Sequence, residues 1–204
     1  MSSRKNPAAN WMLYCILDGE MVKQEKLVNT ARFLFKSGSG AVQLRCKNAP
    51  SYKVLRAAKK IRALAKKYGK TLLINDRPDV ALASGADGVH RGAADMTVKA
   101  MRRLLGPSSV VGETVHSLTR ARAASGKKID YVGAGPVFAT PFKRGLRPKG
   151  INFVRQVKKL VSVPVFAIGG IKLRNARNVL RSGADGVCVT RAAKDAKEII
   201  KLIS

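Results

Sequence analysis

Ser84-Gly85-Ala86-Asp87-Gly88-Val89 recurs near the other end of the chain as Ser182-Gly183-Ala184-Asp185-Gly186-Val187. In each copy the first glycine follows an amphipathic stretch and the second opens a short apolar run. Each copy therefore reads as a helix end entering a strand. Outward from these two anchors the pattern continues. Strand-like runs stand at Met12 to Leu17, Ala41 to Cys46, Thr71 to Asn75, Gly88 to His90, Ser109 to Thr114, Tyr131 to Gly133, Val163 to Ile168 and Gly186 to Thr190. Between them lie stretches with apolar residues at helical spacing, such as Val54, Leu55, Ala58, Ile61, Leu64 and Ala65. Gly38, Gly69, Gly85, Gly106, Gly126 and Gly183 fall where helix C-caps belong. The repeat thus leads into the fourth and the eighth strand, as two similar half-barrels require. Eight strands in 204 residues predict a single-domain (β/α)₈ barrel of small size. A doubly wound open sheet is the runner-up, but it wants long apolar central strands beside distinct edge strands, and the chain shows no such contrast. The expected organisation is a basic N-terminal tail over residues 1–10 and the barrel over residues 11–204.

Hydrophobic residues make up 46% of the chain, which excludes a disordered protein. No apolar run is long enough for a bilayer. The segment Met1 to Asn10 is polar and basic, without the apolar core of a signal peptide, so the expected compartment is the cytoplasm. Three cysteines, Cys15, Cys46 and Cys188, fall within strand-like runs and form no CxxC pair, which argues for reduced, buried thiols. The formal charge is +28, from 40 Lys and Arg against 12 Asp and Glu. That balance invites a nucleic-acid reading. The cations, however, are spread over every helical stretch, and aromatics are only 5% of the residues. A single basic stripe with stacking aromatics is not visible. Nucleic-acid contact is therefore expected to be non-specific and salt-sensitive.

Within the second strand, Gln43, Arg45 and Lys47 share one face, and Val42, Leu44 and Cys46 share the other. An apolar outer face means a strand covered by helices. An amide and two cations then point inward, where an unpaired polar group costs several kcal/mol. Either internal partners or an anionic ligand must offset that cost. The active site of such a barrel lies at the C-terminal strand ends. Asp18, Asn75, Asp76, His90, Asp95, Thr114, His116, Gly170, Thr190 and Arg191 stand at or just beyond those ends, together with a loop carrying Thr140 and Lys143. Two carboxylates, Asp76 and Asp95, without a thiolate or a histidine cluster, suit Mg²⁺ shared with substrate phosphates. Helix capping is the alternative for each: Asp76 before Pro78, and Asp95 before Met96. Glycines after strands seven and eight, with Arg191, suit a second phosphate. Each of His90 and His116 reads first as a hydrogen-bonding strand-end residue. No Ser-His-Asp or Cys-His arrangement and no mid-strand lysine favours covalent catalysis.

Taken in order, Gln43-x-Arg45-x-Lys47, Ile74-Asn75-Asp76, Ala86-Asp87-Gly88-Val89-His90-x-Gly92 with Asp95, Asp130-Tyr131-Val132-Gly133-x-Gly135-Pro136, Thr140-x-x-Lys143, Ala167-Ile168-Gly169-Gly170-Ile171 and Gly183-Ala184-Asp185-Gly186-Val187 resemble the thiamine-phosphate synthases over nearly the whole chain. The resemblance implies a transferase that joins hydroxymethylpyrimidine diphosphate to a thiazole phosphate, releasing pyrophosphate. It further implies that Gln43, Arg45, Lys47, Asn75, Thr114 and Lys143 hold the pyrimidine diphosphate, with Arg45, Lys47 and Lys143 stabilising the departing charge. Mg²⁺ would sit on Asp76 and Asp95. The thiazole phosphate would lie near Thr140 to Phe142, Gly170, Thr190 and Arg191.

The chain departs from that pattern in four places. Ala93 stands where Gln usually follows His-x-Gly, Phe142 where a small hydroxyl residue precedes the loop lysine, and Arg191 where Ser is usual. Glu113 takes a usually small or apolar position. These departures, several expected on the thiazole side, motivate a second reading: a paralogue with altered or lost activity there. A third is a cationic nucleic-acid binder on this scaffold. The related thiazole tautomerase branch carries its active histidine where this chain has Pro136.

Overall fold

Side chains along each strand part to two sides, and the two sides differ in kind. On β1 (Leu13–Asp18), Leu13, Cys15 and Leu17 pack outward with helix residues, while Tyr14 and Ile16 turn inward. The same split runs through β2 (Ala41–Arg45), β3 (Thr71–Asn75), β4 (Gly88–Arg91), β5 (Val110–Val115), β6 (Tyr131–Ala134), β7 (Val165–Ile168) and β8 (Gly186–Val189). All neighbours pair in parallel, β8 closes on β1, and the eight strands form a barrel in chain order. The structure, a computed structural model, describes residues 6–141 and 145–204. The helices ring the barrel: α1 (Leu27–Lys36), α2 (Ser51–Tyr68), α3 (Pro78–Ser84), α4 (Val98–Leu105), α5 (Leu118–Ser125), α6 (Gly150–Leu160), α7 (Leu173–Leu180) and α8 (Ala196–Ile203). None of the described helices is long and apolar enough to cross a membrane.

The expected strands and the observed ones agree to within two residues. The seventh begins at Val165 rather than Val163, because Pro164 has no N–H to enter the ladder. Among the expected cap glycines, Gly69 and Gly85 adopt the left-handed conformation and donate their N–H groups to carbonyls of the last helical turn. Gly126 does not: its φ is −83°, open to any residue.

The floor of the barrel is aromatic. Trp11, Tyr14, Tyr131 and Phe166 are buried together there, with ring centroids 5.4 to 6.0 Å apart. Rings of this size fit because small residues face them; a Cβ on Gly112 would lie 2.1 Å from Tyr131 Cζ. Of the expected tail, Pro7–Asn10 form a 3₁₀ helix with Ala8 fully buried, and Asn6 donates to the Asp130 carbonyl at 2.7 Å.

The repeated Asp-Gly pair has a physical cause at this same end. Asp87 accepts the Leu72 N–H at 2.9 Å and pairs with Arg62 of α2 at 3.0 Å. Asp185 accepts the Val165 N–H at 2.7 Å and pairs with Lys158 of α6 at 2.6 Å. Asp130 does the same with Val111 and with Arg102 of α4. Each carboxylate pins a strand start to the helix before it, at the barrel end that carries stability rather than chemistry.

Candidate active site

The opposite end opens into a cavity of about 1000 Å³ whose walls come from the C-terminal strand ends and the loops beyond them. Gln43, Arg45 and Lys47 line it, as their shared strand face requires, while Val42 and Leu44 join the outer core. Their polar groups have internal partners. Gln43 hydrogen-bonds the Tyr14 hydroxyl through its side-chain amide. Arg45 Nη1 meets Asp18 Oδ2 at 2.6 Å and Glu20 Oε2 at 3.6 Å. Lys47 Nζ lies 3.5 Å from Asp76 Oδ2. Asp18 is 2% exposed, so the pair with Arg45 compensates an otherwise costly buried charge and fixes one edge of the guanidinium. The rest of that planar group is free to fork toward a phosphate.

Asp76 and Asp95 do meet, and capping explains neither. Arg77 occupies the N-cap of α3 without a side-chain cap bond, and Thr97 caps α4 by accepting from Ala100. Asp76 instead has φ +60°, a strained conformation for a non-glycine residue that turns its carboxylate into the mouth. Burial, and then hydrogen bonding and charge from Asp95, raise its carboxyl above the ordinary range; Lys47 opposes the shift. Asp95 Oδ2 accepts the Gly92 N–H at 2.6 Å. Two facing carboxylates of which one resists ionisation make a hard-oxygen donor pair suited to a divalent cation. Among the described residues no group of three or more His, Cys, Asp or Glu could enclose a metal, so the donors that could hold one at this mouth are these two carboxylates.

Between the two walls runs a buried hydrogen-bonded chain. Tyr14 Oη and Tyr131 Oη are 3.2 Å apart; Tyr131 Oη is 2.8 Å from His90 Nδ1, and His90 Nε2 is 2.6 Å from Thr114 Oγ1. His90 is thus a connecting residue that holds Thr114 at the cavity wall, in line with its reading as a hydrogen-bonder. His116 is another, through Nδ1 and the Gly135 carbonyl. Burial pushes both tyrosine hydroxyls well up in pKa, so they stay neutral.

Across the mouth, Thr140, Gly169, Gly170, Thr190 and Arg191 line the same cavity, joined by Lys172, Arg174 and Lys194. Gly169 and Gly170 have φ +98° and +67°; a Cβ on Gly170 would lie 2.6 Å from Phe138 Cβ, so the turn admits no side chain. The expected site residues Phe142 and Lys143 lie outside the described residues. Ala93 lines the cavity beside Asp95. Glu113 does not reach it: it faces the helices, 1% exposed, 2.8 Å from Arg91 and 2.9 Å from Lys127. Its place in mid-strand, between inward Gly112 and Thr114, turns it outward. Sequence reasoning gave no role to Arg91, Tyr14, Lys172, Arg174 or Lys194. Strand alternation carried the signal for the first two; nothing short of the folded loops gathers the last three.

A closed parallel barrel whose mouth sets paired carboxylates against cations on two walls is an enzyme of the class that handles phosphorylated, anionic substrates. The chain belongs to the thiamine monophosphate synthase family, whose model matches residues 13–193. A thiamine-phosphate synthase of Caldanaerobacter subterraneus is 41% identical over 179 residues, covering 87% of this chain and 84% of that protein. One from Pyrococcus horikoshii is 39% identical over 187 residues, covering 92% and 88%. The solved thiamine phosphate pyrophosphorylase of Pyrococcus furiosus superposes with a TM-score of 0.87 at 36% identity, covering 97% of this chain and 98% of that one.

Proposed function

We propose that this protein is a thiamine-phosphate synthase, joining hydroxymethylpyrimidine diphosphate to a thiazole phosphate. The observation that carries the reading is the pairing of Asp76 with Asp95 opposite the inward face of Gln43, Arg45 and Lys47. The pyrimidine lies between Gln43, Asn75 and Thr114, whose amides and hydroxyl match its ring nitrogens and exocyclic amine. Its diphosphate is held by Arg45, Lys47 and Lys143. A Mg²⁺ ion on Asp76 and Asp95 would neutralise charge on the diphosphate oxygens.

The bond from the pyrimidine methylene carbon to the diphosphate oxygen breaks, and its electron pair leaves on pyrophosphate. The methylene cation is then captured by the thiazole ring nitrogen. No proton moves, so no general base is required, and none of the site histidines serves as one. Fixed cations do the work by stabilising the leaving anion in place.

The thiazole phosphate is held by Thr140, Gly170, Thr190 and Arg191, and the resemblance adds Phe142 to this set. Arg191 supplies a charged fork where the family pattern has a hydroxyl, and it lines a wall already cationic through Lys172, Arg174 and Lys194. This supports an active second subsite over a paralogue that has lost it.

The basic surface supports only non-specific nucleic-acid contact. Only 12 acids face 40 Lys and Arg, and Asp18, Asp87, Glu113, Asp130 and Asp185 are each already taken by a structural partner, so the excess positive charge is spread over the helices all round the ring. RNA retention should vanish at physiological salt; nanomolar binding that survives it would favour the nucleic-acid reading. The principal test is mass-spectrometric detection of thiamine phosphate from the two substrates with Mg²⁺. Absence of product at every Mg²⁺ concentration refutes the proposal, and tight pyrimidine-diphosphate binding without turnover would point to the paralogue.

A further inference from the structure

Arg91 and Glu113 are register partners on neighbouring strands, and both point away from the barrel interior into the apolar layer under the helices. Their side chains are 6% and 1% exposed, with Arg91 Nη1 2.8 Å from Glu113 Oε1. Lys127 reaches in from the surface and meets both Glu113 oxygens, at 2.9 and 3.0 Å. Flanking outward positions, Val89, Val111 and Val115, are apolar and fully buried. An apolar pair would fill this layer as well, and such replacements are often neutral or stabilising. Packing therefore does not account for two buried charges.

The remaining nitrogens of Arg91 do account for them. Nε donates to the Met96 carbonyl at 2.9 Å, and Nη2 lies 3.1 Å from the Asp95 carbonyl and 3.3 Å from that of Ala93. All three guanidinium nitrogens are thereby used: one anchored on Glu113, two gripping the loop between β4 and α4. That loop has no helix or strand of its own, and it carries Asp95. We propose that Arg91 is a positioning residue for the Asp95 carboxylate, clamping the backbone on both sides of it, with Glu113 and Lys127 setting the clamp from behind. Only a rigid planar fork makes this set of contacts; a lysine ammonium has a single donor centre. The inference rests on Asp95 being a metal ligand.

The test compares the parent with Arg91→Met combined with Glu113→Met, which removes both buried charges at once and leaves Lys127 in water. Mn²⁺ binding with inorganic pyrophosphate present is read by electron paramagnetic resonance, and folding by a thermal melt. The double variant should melt within a few degrees of the parent yet bind Mn²⁺ about 10–100-fold more weakly, the usual cost of losing a residue that orients a metal ligand. Arg91→Lys should not restore the affinity. Parent-like Mn²⁺ affinity in a folded double variant overturns the proposal, and so does failure of that variant to fold, which would assign the pair to stability. Asp95→Asn separates the two levels. If it leaves Mn²⁺ binding intact, the metal reading itself fails. If it abolishes binding while the double variant binds normally, only the clamp is wrong.

Discussion

Gly112→Ala adds one methyl group to the barrel interior and should damage both stability and catalysis. The new Cβ would lie 2.1 Å from Tyr131 Cζ, 2.3 Å from Cε1 and 2.5 Å from Oη. Ordinary contact needs the ring to retreat by more than an ångström. It has nowhere to go: Trp11, Tyr14, Phe166 and His90 surround it at centroid distances of 5.4 to 5.7 Å. Overpacking of this kind costs about 1–3 kcal/mol, and at roughly 2–4 °C per kcal/mol for a chain of this size the melting temperature should fall by about 2–12 °C. The same shift displaces the Tyr131 hydroxyl, and with it His90 and Thr114. Turnover on the pyrimidine diphosphate should drop by up to about 100-fold well below the melting transition, since a displacement near 1 Å has that scale of effect. The assay pairs near-ultraviolet circular dichroism on heating with kcat/KM for each substrate. A variant that melts within about a degree of the parent and keeps its kcat/KM would refute the account of the interior as a filled floor coupled to the site.

Asp76→Asn should abolish Mg²⁺-dependent turnover while leaving the metal-free protein at least as stable as the parent at neutral pH. The Asp76 carboxyl is raised in the folded state, so its contribution favours folding at low pH and is lost as pH rises through the folded value. Metal affinity runs the opposite way, strengthening over the same window as the proton leaves; titrations of melting temperature against pH, with and without Mg²⁺, would show both trends and their loss in the variant. Asp130→Ala should cost about 3 kcal/mol by taking the carboxylate partner from Arg102 and the acceptor from the Val111 N–H, yet preserve kcat below its melting point; a lost kcat in folded protein would contradict the assignment of that end to stability. Burial pushes the Cys15 and Cys46 thiols up to about 12 and about 11 and raises Cys188 as well. Native protein at pH 8 should therefore react with a disulfide reagent only slowly, and unfolded protein at all three thiols; rapid native labelling would place a thiol in water.

Particular residues show where legibility ended. Gln43, Arg45 and Lys47 could be assigned to the cavity side because strand geometry fixes alternation locally. Asp87, Asp130 and Asp185 were visible as acids at strand starts, but their partners Arg62, Arg102 and Lys158 lie 25 to 28 positions away and meet them only after each helix folds back. Asp76 and Asp95 each carried a reasonable capping interpretation, and Arg77 and Thr97 in the cap positions displaced it. Glu113 stood out in the sequence only as a departure from the family pattern, and its register beside Arg91 gives it an outward partner.

The sequence by itself determined the eightfold strand–helix alternation, the closed parallel barrel, the mouth at the strand ends and the family, because these follow from periodicities and short motifs within one or two elements. The tertiary structure alone decided which charges face one another: Asp18 on Arg45, Asp76 on Asp95, Arg91 on Glu113 and on the loop that carries Asp95. Such pairings depend on strand register and loop path, which closure of the whole barrel fixes, and no local stretch of chain contains them.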